Sequence, residues 1–315
     1  MRRSRPRWLR GPAQIPDHRR WKGGTNTSTP SPRRAAWCAR QAPASSGFEE
    51  KNGRVNCVKD QYFGDVNDYR KFGLLRGLTS ERDLRLSICW ALTRSDGRTD
   101  GSKTQYLENP SIWRRFDPEL FAFLRQQVVD RGDRRVGAIE GTRVLGDCNF
   151  FSETLPREEA ARDGYFERLC DLAARTDLVF FDPDNGLGVK STPRGCPNSE
   201  KYVYPSELAS VFSLGPSILL YQHFPRRPRT QFTQWLARSL CELLGSERAV
   251  AFITPHVLFL LVPNRRHWAA LRAGAERVAG RWSGQIGVVH LSRLGNLRPV
   301  PFDAFGPREA APVAA

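Results

Sequence analysis

The chain has 315 residues, 40% of them hydrophobic and 26% charged, with 26 glycines and 22 prolines. That length supports one large domain or two small ones around a sizeable core, and it excludes a collagen-like chain and a disulfide miniprotein. The longest apolar run, 257–262, falls far short of the roughly 20 residues a membrane helix needs, and seven cysteines without a CxxC pair give neither a disulfide framework nor a paired zinc site. A reduced cytoplasmic protein without membrane contact is therefore expected.

The net charge of +16 is unevenly spread. Residues 1–57 carry 13 Lys and Arg against three acids, or +10, which leaves +6 for residues 58–315. The first segment is rich in Arg and Pro and has no helical or strand period, so it predicts a disordered arm. It has no continuous apolar stretch of the secretory-signal kind. Organised sequence begins at Val58, and Met1 is the only methionine. A start codon read internally as valine, at Val55 or Val58, would make the arm a gene-start artefact. A single α/β domain is expected over 58–298, with a disordered tail over 299–315.

In chain order, 63–68 (FGDVND) reads as a turn leading into a helix. Asp65 or Asn67 is the cap, and Tyr69, Phe72, Leu75 and Leu78 fall at helical spacing. Residues 85–92 predict a buried strand, followed by a polar glycine loop over 93–102. A helix is expected over 118–129, a second strand over 135–140 and a helix over 157–175. Two strands then run into polar loops: 177–181 into Asp182-Pro183-Asp184-Asn185-Gly186, and 217–221 into Gln222-His223-Phe224-Pro225-Arg226-Arg227. A short helix over 205–212 separates them. Helices over 232–244 and 264–282, an antiparallel strand pair at 249–253 and 257–262, and a last strand over 288–291 complete the pattern. Alternating strands and helices predict a Rossmann-like three-layer α/β domain. Its sheet is mixed and mostly parallel, with the antiparallel pair near the C-terminus.

Ligands of open α/β sheets sit beyond the carboxyl ends of the strands, which selects the polar residues there. In the 182–186 loop, proline fixes the turn and Gly186 permits a positive φ, so two carboxylates and an amide are held at one strand tip. They suit proton transfer, a divalent cation or an amine under modification; an Asx-rich turn without a ligand is the plainer alternative. His223 is placed to act as a base, and Arg226 and Arg227 suit phosphate or carboxylate. Asp65, Asp68, Tyr69 and Lys71 gather at a helix start, where Asp68 and Lys71 share a face; Asp65 and Tyr69, with Arg226 and Arg227, are expected to bind substrate. Glu140, at an expected strand end, is placed to bind a ribose or to cap a helix, and Asp100-Gly101 resembles a ligand loop, though such pairs are also ordinary turn chemistry. His256, His267 and His290 are expected to be structural or at the surface.

The segments YFGDVNDYRKFGLLR (62–76), FFDPDNGL (180–187), EKYVYPSEL (200–208) and LLYQHFPR (219–226) resemble those of a family of uncharacterised bacterial proteins. At longer range, the order of elements over 62–262 resembles class I S-adenosylmethionine-dependent methyltransferases, and in particular the ribosomal-RNA adenine-N6 methyltransferases. That resemblance aligns Asp68 and Lys71 with an early Asp- and Lys-bearing helix, and Asp182-Pro183 with the start of an Asp-Pro-Pro-Tyr motif. It implies S-adenosylmethionine as cofactor and RNA or DNA as substrate. Asp184 and Asn185 stand where that family has Pro and Tyr, so no aromatic is in place there to stack on a flipped base.

Three functions follow. The first is a methyltransferase-like enzyme in which Asp182 orients the acceptor, Asn185 assists and Glu140 or Asp100 holds the cofactor, with Asp68 and Lys71 beside it. The second is a phosphodiesterase or nuclease whose Asp182 and Asp184 hold Mg²⁺ or Mn²⁺, with His223 as base. The third is a non-catalytic module that binds nucleic acid or a protein partner.

Overall fold

The structure, a computed structural model, describes residues 58–80, 84–94 and 103–292. The chain divides into two units, Met1–Gly53 and Arg54–Ala315, and every described residue belongs to the second. The expected arm, the tail over 299–315 and the loop carrying Asp100 lie outside the described residues.

Helix α1 (Val58–Tyr62) leads to α2 (Val66–Thr79). Asp65 starts α2 as its N-cap: its Oδ1 accepts from the amides of Asn67 and Asp68 at 2.7 and 2.9 Å, satisfying two donors that a helix start leaves open. Strand β1 (Leu86–Cys89) follows, then α3 (Pro110–Trp113), α4 (Pro118–Arg125), α5 (Gly137–Glu140) and β2 (Cys148–Phe151). Next come α6 (Glu159–Ala173), β3 (Leu178–Phe181), the two-residue strands β4 (Gly186–Leu187) and β5 (Tyr202–Val203), and α7 (Pro205–Ser213). The chain continues through β6 (Ser217–His223), α8 (Arg229–Leu244), β7 (Arg248–Ile253), β8 (Val257–Val262), α9 (Trp268–Arg281) and β9 (Gly287–Ser292). None of the described helices is long and apolar enough to cross a membrane.

The fold is Rossmann-like. Seven strands form one sheet in the order β2-β1-β3-β6-β8-β7-β9, and β4 and β5 form a separate parallel pair. Strands β2, β1, β3 and β6 are parallel, whereas β8 runs antiparallel to both β6 and β7. Strand β7 therefore points the same way as β6, and β9 opposes it. Both faces of the sheet are covered, which is why LVFF and VLFLLV are apolar at every position rather than alternately. Leu178, Phe180 and Leu219 pack with α2, α4 and α9 on one face. Val179, Phe181, Ile218 and Leu220 pack with α6, α7 and α8 on the other.

The strand expected over 135–140 is a turn followed by α5. Its buried residues, Val136 and Ile139, are three apart, a helical spacing that a six-residue apolar window imitates. The second strand is β2 instead, at the sheet edge, where only Phe151 is fully buried and the hydrophobic signal is correspondingly faint. Helix α8 starts three residues before the expected position. The helix expected over 264–282 opens as a tight turn at Arg265–His267 before α9. His267 is buried there, with its Nδ1 3.0 Å from Ser217 Oγ and its Nε2 accepting from Arg266 Nε.

Helices α2 and α9 touch through small residues. A Cβ on Gly73 would stand 1.8 Å from a ring carbon of Trp282, which is itself 1% exposed. Gly73→Ala therefore gains helix propensity of under about 1 kcal/mol but displaces a buried indole, with an expected net loss of about 1–3 kcal/mol. Gly280→Ala, in α9 with open space around it, should be neutral or stabilising by up to about 1 kcal/mol. Urea midpoints of the two variants check the contrast; equal midpoints would remove the proposed close approach.

Candidate functional site

The sheet register builds the site. Cys89 pairs with Phe151 on one side and Phe181 on the other, and Phe181 pairs with Leu220. One step further along the strands, Ser152, Trp90, Asp182 and Tyr221 fall into a row across four neighbouring strand tips. The ladder still holds there, with Trp90 N donating to Phe151 O and Asp182 N to Cys89 O at 3.3 and 2.9 Å. Period two turns Asp182 and Tyr221 to the face of Phe180 and Leu219, the face that α2 covers.

Helix α2 lays a cation on this row. Lys71 Nζ donates to Asp182 Oδ2 at 3.0 Å and lies 2.6 Å from Asp68 Oδ1, one turn back on its own helix. Asp68 Oδ2 accepts from Gly64 N at 3.1 Å, tying the group to the turn before the helix. Lys71, Asp68, Asp65 and Asp182 are 6, 5, 4 and 1% exposed, so the cluster is a desolvated ion group and not a surface bridge. The ammonium also lies 5.4 Å from the Trp90 ring centroid and 5.1 Å from that of Phe72.

Burial and charge set the protonation states. Burial pushes the Asp68 carboxyl up from its ordinary 3.8 to about 6, against the pull of the Lys71 ammonium. Burial likewise raises Asp65, against the Asp68 amide and the Lys71 charge. Lys71 is pulled down by burial, but Asp182 and Asp68 outweigh this and raise it above its ordinary value, so it stays charged. Burial, and then Asp182, Asp65, Asp68 and Asp184, push the Tyr221 phenol well above its usual range. The phenol keeps its proton, and its Oη lies 3.1 Å from His223 Nε2.

The loop after β3 is held from below. Gly186 has φ +108°, as the sequence predicts, and a Cβ there would stand 2.4 Å from Gln222 Oε1. Gln222 uses that space: its Oε1 accepts from Leu187 N at 2.9 Å, and its Nε2 donates to the carbonyls of Asn185 and His223 at 3.2 and 3.0 Å. Asp184 Oδ2 accepts from Thr93 Oγ1 at 2.6 Å. Asp184 and Asn185 are half-buried and His223 is exposed, so these three reach the surface that Asp182 does not.

Glu140 forms a second acidic station over the tips of β1 and β2. Its Oε1 accepts from Trp90 Nε1 at 2.7 Å and from Ser152 Oγ at 2.6 Å. It reaches this place from the end of α5, not from a strand end as expected.

The structure thus gathers Asp65, Asp68, Lys71, Asp182, Asp184, Asn185 and His223 at one end of the sheet, with Glu140 on the far side of Trp90. Tyr69 is elsewhere. Expected to bind substrate, it is 0% exposed, packed against Tyr106, Trp113, Phe121 and Trp282, and its hydroxyl donates to Trp113 O at 2.9 Å. The helical repeat that places Lys71 at the site turns Tyr69 into the core. Arg226 is exposed and Arg227 half-buried in the loop after β6. Trp90, Thr93 and Gln222 were not foreseen; the only sequence signal for Trp90 is its place just after an apolar strand. The two aspartates of the metal reading, Asp182 and Asp184, are engaged by Lys71 and Thr93. Among the described residues, no group of three or more His, Cys, Asp or Glu is placed to hold a metal ion.

No protein-family model matches the chain, and no curated protein matches it. Among solved structures, the chain is similar to that of a protein from Legionella pneumophila str. Philadelphia 1 of the family DUF519. The identity is 11% and the TM-score 0.36, over 74% of this chain and 98% of that one.

Removing one partner of a buried ion group strands the others. Lys71→Met should cost about 3–5 kcal/mol in chemical denaturation, and adding Asp182→Asn should recover part of that loss. A loss under about 1 kcal/mol would show the cluster to be solvated. Because the folded state raises Asp68, it binds this proton more readily than the unfolded chain does. The resulting stability is complete below 3.8 and is lost as pH rises through about 6. The Tm difference of Asp68→Asn over wild type should therefore be larger at pH 8 than at pH 5; a difference independent of pH contradicts the raised carboxyl.

Proposed function

We propose that the chain is a methyltransferase-like enzyme that uses S-adenosylmethionine and acts on nucleic acid. The observation that carries this reading is the pair of acidic stations at adjacent strand tips. Glu140 spans β2 and β1, and Asp182 stands on β3, about one strand spacing of ~4.8 Å from Trp90. Open α/β sheets take their ligands at this end.

Both stations fit the cofactor by their chemistry. Glu140 is half-buried and, among the described residues, accepts its hydrogen bonds on Oε1, which leaves Oε2 to accept from a ribose diol. When bound, the cofactor supplies a methyl carbon made electrophilic by its sulfonium. The rest falls to the chain. Asp182 is enclosed and bonded to Lys71, so it acts as a positioning group that fixes Pro183 and the loop beyond. Asn185 and Asp184, at the surface of that loop, are placed to accept hydrogen bonds from the acceptor group. His223 stands next to them to take a released proton, with its Nε2 3.1 Å from the Tyr221 hydroxyl. Lys71 offsets the negative charge of three aspartates and keeps the tip rigid.

The first test is a thermal-shift titration of the full chain with S-adenosylmethionine and with S-adenosylhomocysteine. Binding to the folded state alone, at about 100 times the dissociation constant, adds roughly 2.7 kcal/mol and moves the midpoint by a few degrees. Glu140→Gln should weaken that shift about tenfold in ligand concentration, whereas Asn185→Ala should leave it and abolish transfer to RNA or DNA. No shift with either compound overturns the reading.

A further inference from the structure

Beside the acidic row stands a group of cations that the proposed reaction does not use. The turn between β7 and β8 carries Pro255 and His256, and the next residue, Val257, pairs with His223. Lys103 Nζ lies 3.4 Å from His256 Nε2, and both side chains are exposed. The main-chain carbonyl of Lys103 accepts from Val66 N at 3.1 Å, which fixes it against the first turn of α2, next to Asp65. Arg229, at the start of α8, donates Nη2 to Pro255 O at 2.8 Å and rests its guanidinium 4.9 Å from the Phe224 ring centroid. Arg70 closes the group from α2. It is buried and bonded to the neutral amide oxygens of Gln285 and Asn67.

Among the described residues, none of Lys103, Arg70 and Arg229 forms an ion pair. Burial, and then the charges of Lys103, Arg70 and Arg229, hold the His256 imidazole below its ordinary value, the mark of a cationic neighbourhood, in which the Asp65 carboxylate acts on Arg70 without an ion-pair contact. Like charges gathered this closely repel one another, and an anion with several oxygens relieves the repulsion. The heads present are an ammonium, an imidazole and a guanidinium, whose donors match phosphate oxygens. The guanidinium is pre-aligned by Phe224 and Pro255. The carboxylate cluster around Asp182 repels an anion from the row itself. A ligand satisfying both regions carries its negative charge at one end and an uncharged group at the other.

We propose that Lys103, His256 and Arg229 form a phosphate-binding rim beside the Asp182 row, and that it grips a phosphodiester of the nucleic acid while a base reaches the row. The phosphate site stands on its own geometry; only the identity of its bearer rests on the proposed function.

Fluorescence anisotropy of the full chain with a labelled RNA of about a dozen nucleotides, across about 50 to 200 mM salt and without cofactor, tests the rim. Lys103→Ala combined with Arg229→Ala should lower the slope of log affinity against log salt by about two, one per lost phosphate contact. At the low-salt end, binding should fall at least ~10-fold. Arg85→Ala, at the opposite end of the sheet, should leave the slope unchanged. The basic first 57 residues are present in every variant and cancel from the comparison. An unchanged slope in the double variant overturns the proposal. So does a variant that loses inorganic phosphate in a competition assay while keeping RNA, because the rim would then serve a free phosphate. Loss of both RNA and an abasic oligonucleotide supports a phosphodiester. A lowered slope in a protein that shows no thermal shift with S-adenosylmethionine would sink the methyltransferase reading and leave the rim standing.

Discussion

The ammonium of Lys71, held between Asp68 and Asp182, is the contact on which this end of the molecule depends. It joins a helix that precedes β1 to a loop that follows β3, across 111 positions of sequence. Without it, the sheet would present buried carboxylates facing one another in a medium that cannot separate their charge. Everything at the tips is arranged around it. Asp65 caps the helix that delivers it, Trp90 and Phe72 wall it, and Gly64 steadies one of its two carboxylate partners. Such a group adds little net stability compared with apolar packing of the same volume. It stands at a strand tip, the end of the sheet where ligands of this fold class bind.

Much of the fold was legible because both sheet faces are covered. Runs such as LVFF, ILL and VLFLLV are apolar at every position, and that leaves little doubt between strand and loop. The helix start at Asp65 or Asn67, which the structure resolves to an Asp65 cap, the antiparallel pair β7–β8 and the positive φ of Gly186 followed from local rules. The edge strand β2 did not, because CNFF keeps most of its side chains half in solvent and carries an Asn. The window at 135–140 imitated a strand because two buried residues of a helical turn look continuous in a short apolar stretch.

The candidate site was legible by residue type and not by role. Asp68 and Lys71 were selected together as residues of one helix face and Asp182 separately, yet nothing in the sequence predicts that Asp182 joins their hydrogen-bonded group, because that contact depends on how the helix packs on the sheet. Tyr69 shows the opposite error. It lies in the same polar-looking segment as Lys71, but the helix rotates it about 200° away over two residues, and the aromatic core takes it. Glu140 came to the strand tips by a route other than the one expected. Gln222, inside an apolar strand, gave no sign that it holds the loop of Asn185.

Trp90 has a consequence of its own. Its indole is at once the wall beside the Lys71 ammonium and the donor to Glu140, so one rigid ring belongs to both acidic stations. A ligand that draws Glu140 aside must either break that bond or tilt the ring, and a tilted ring alters the face offered to the ammonium. Occupancy of one station would thereby be felt at the other through the shared ring. Linkage makes that sensing mutual: whatever free energy a guest at Glu140 transmits to the aspartate tip, a guest at the tip returns in full.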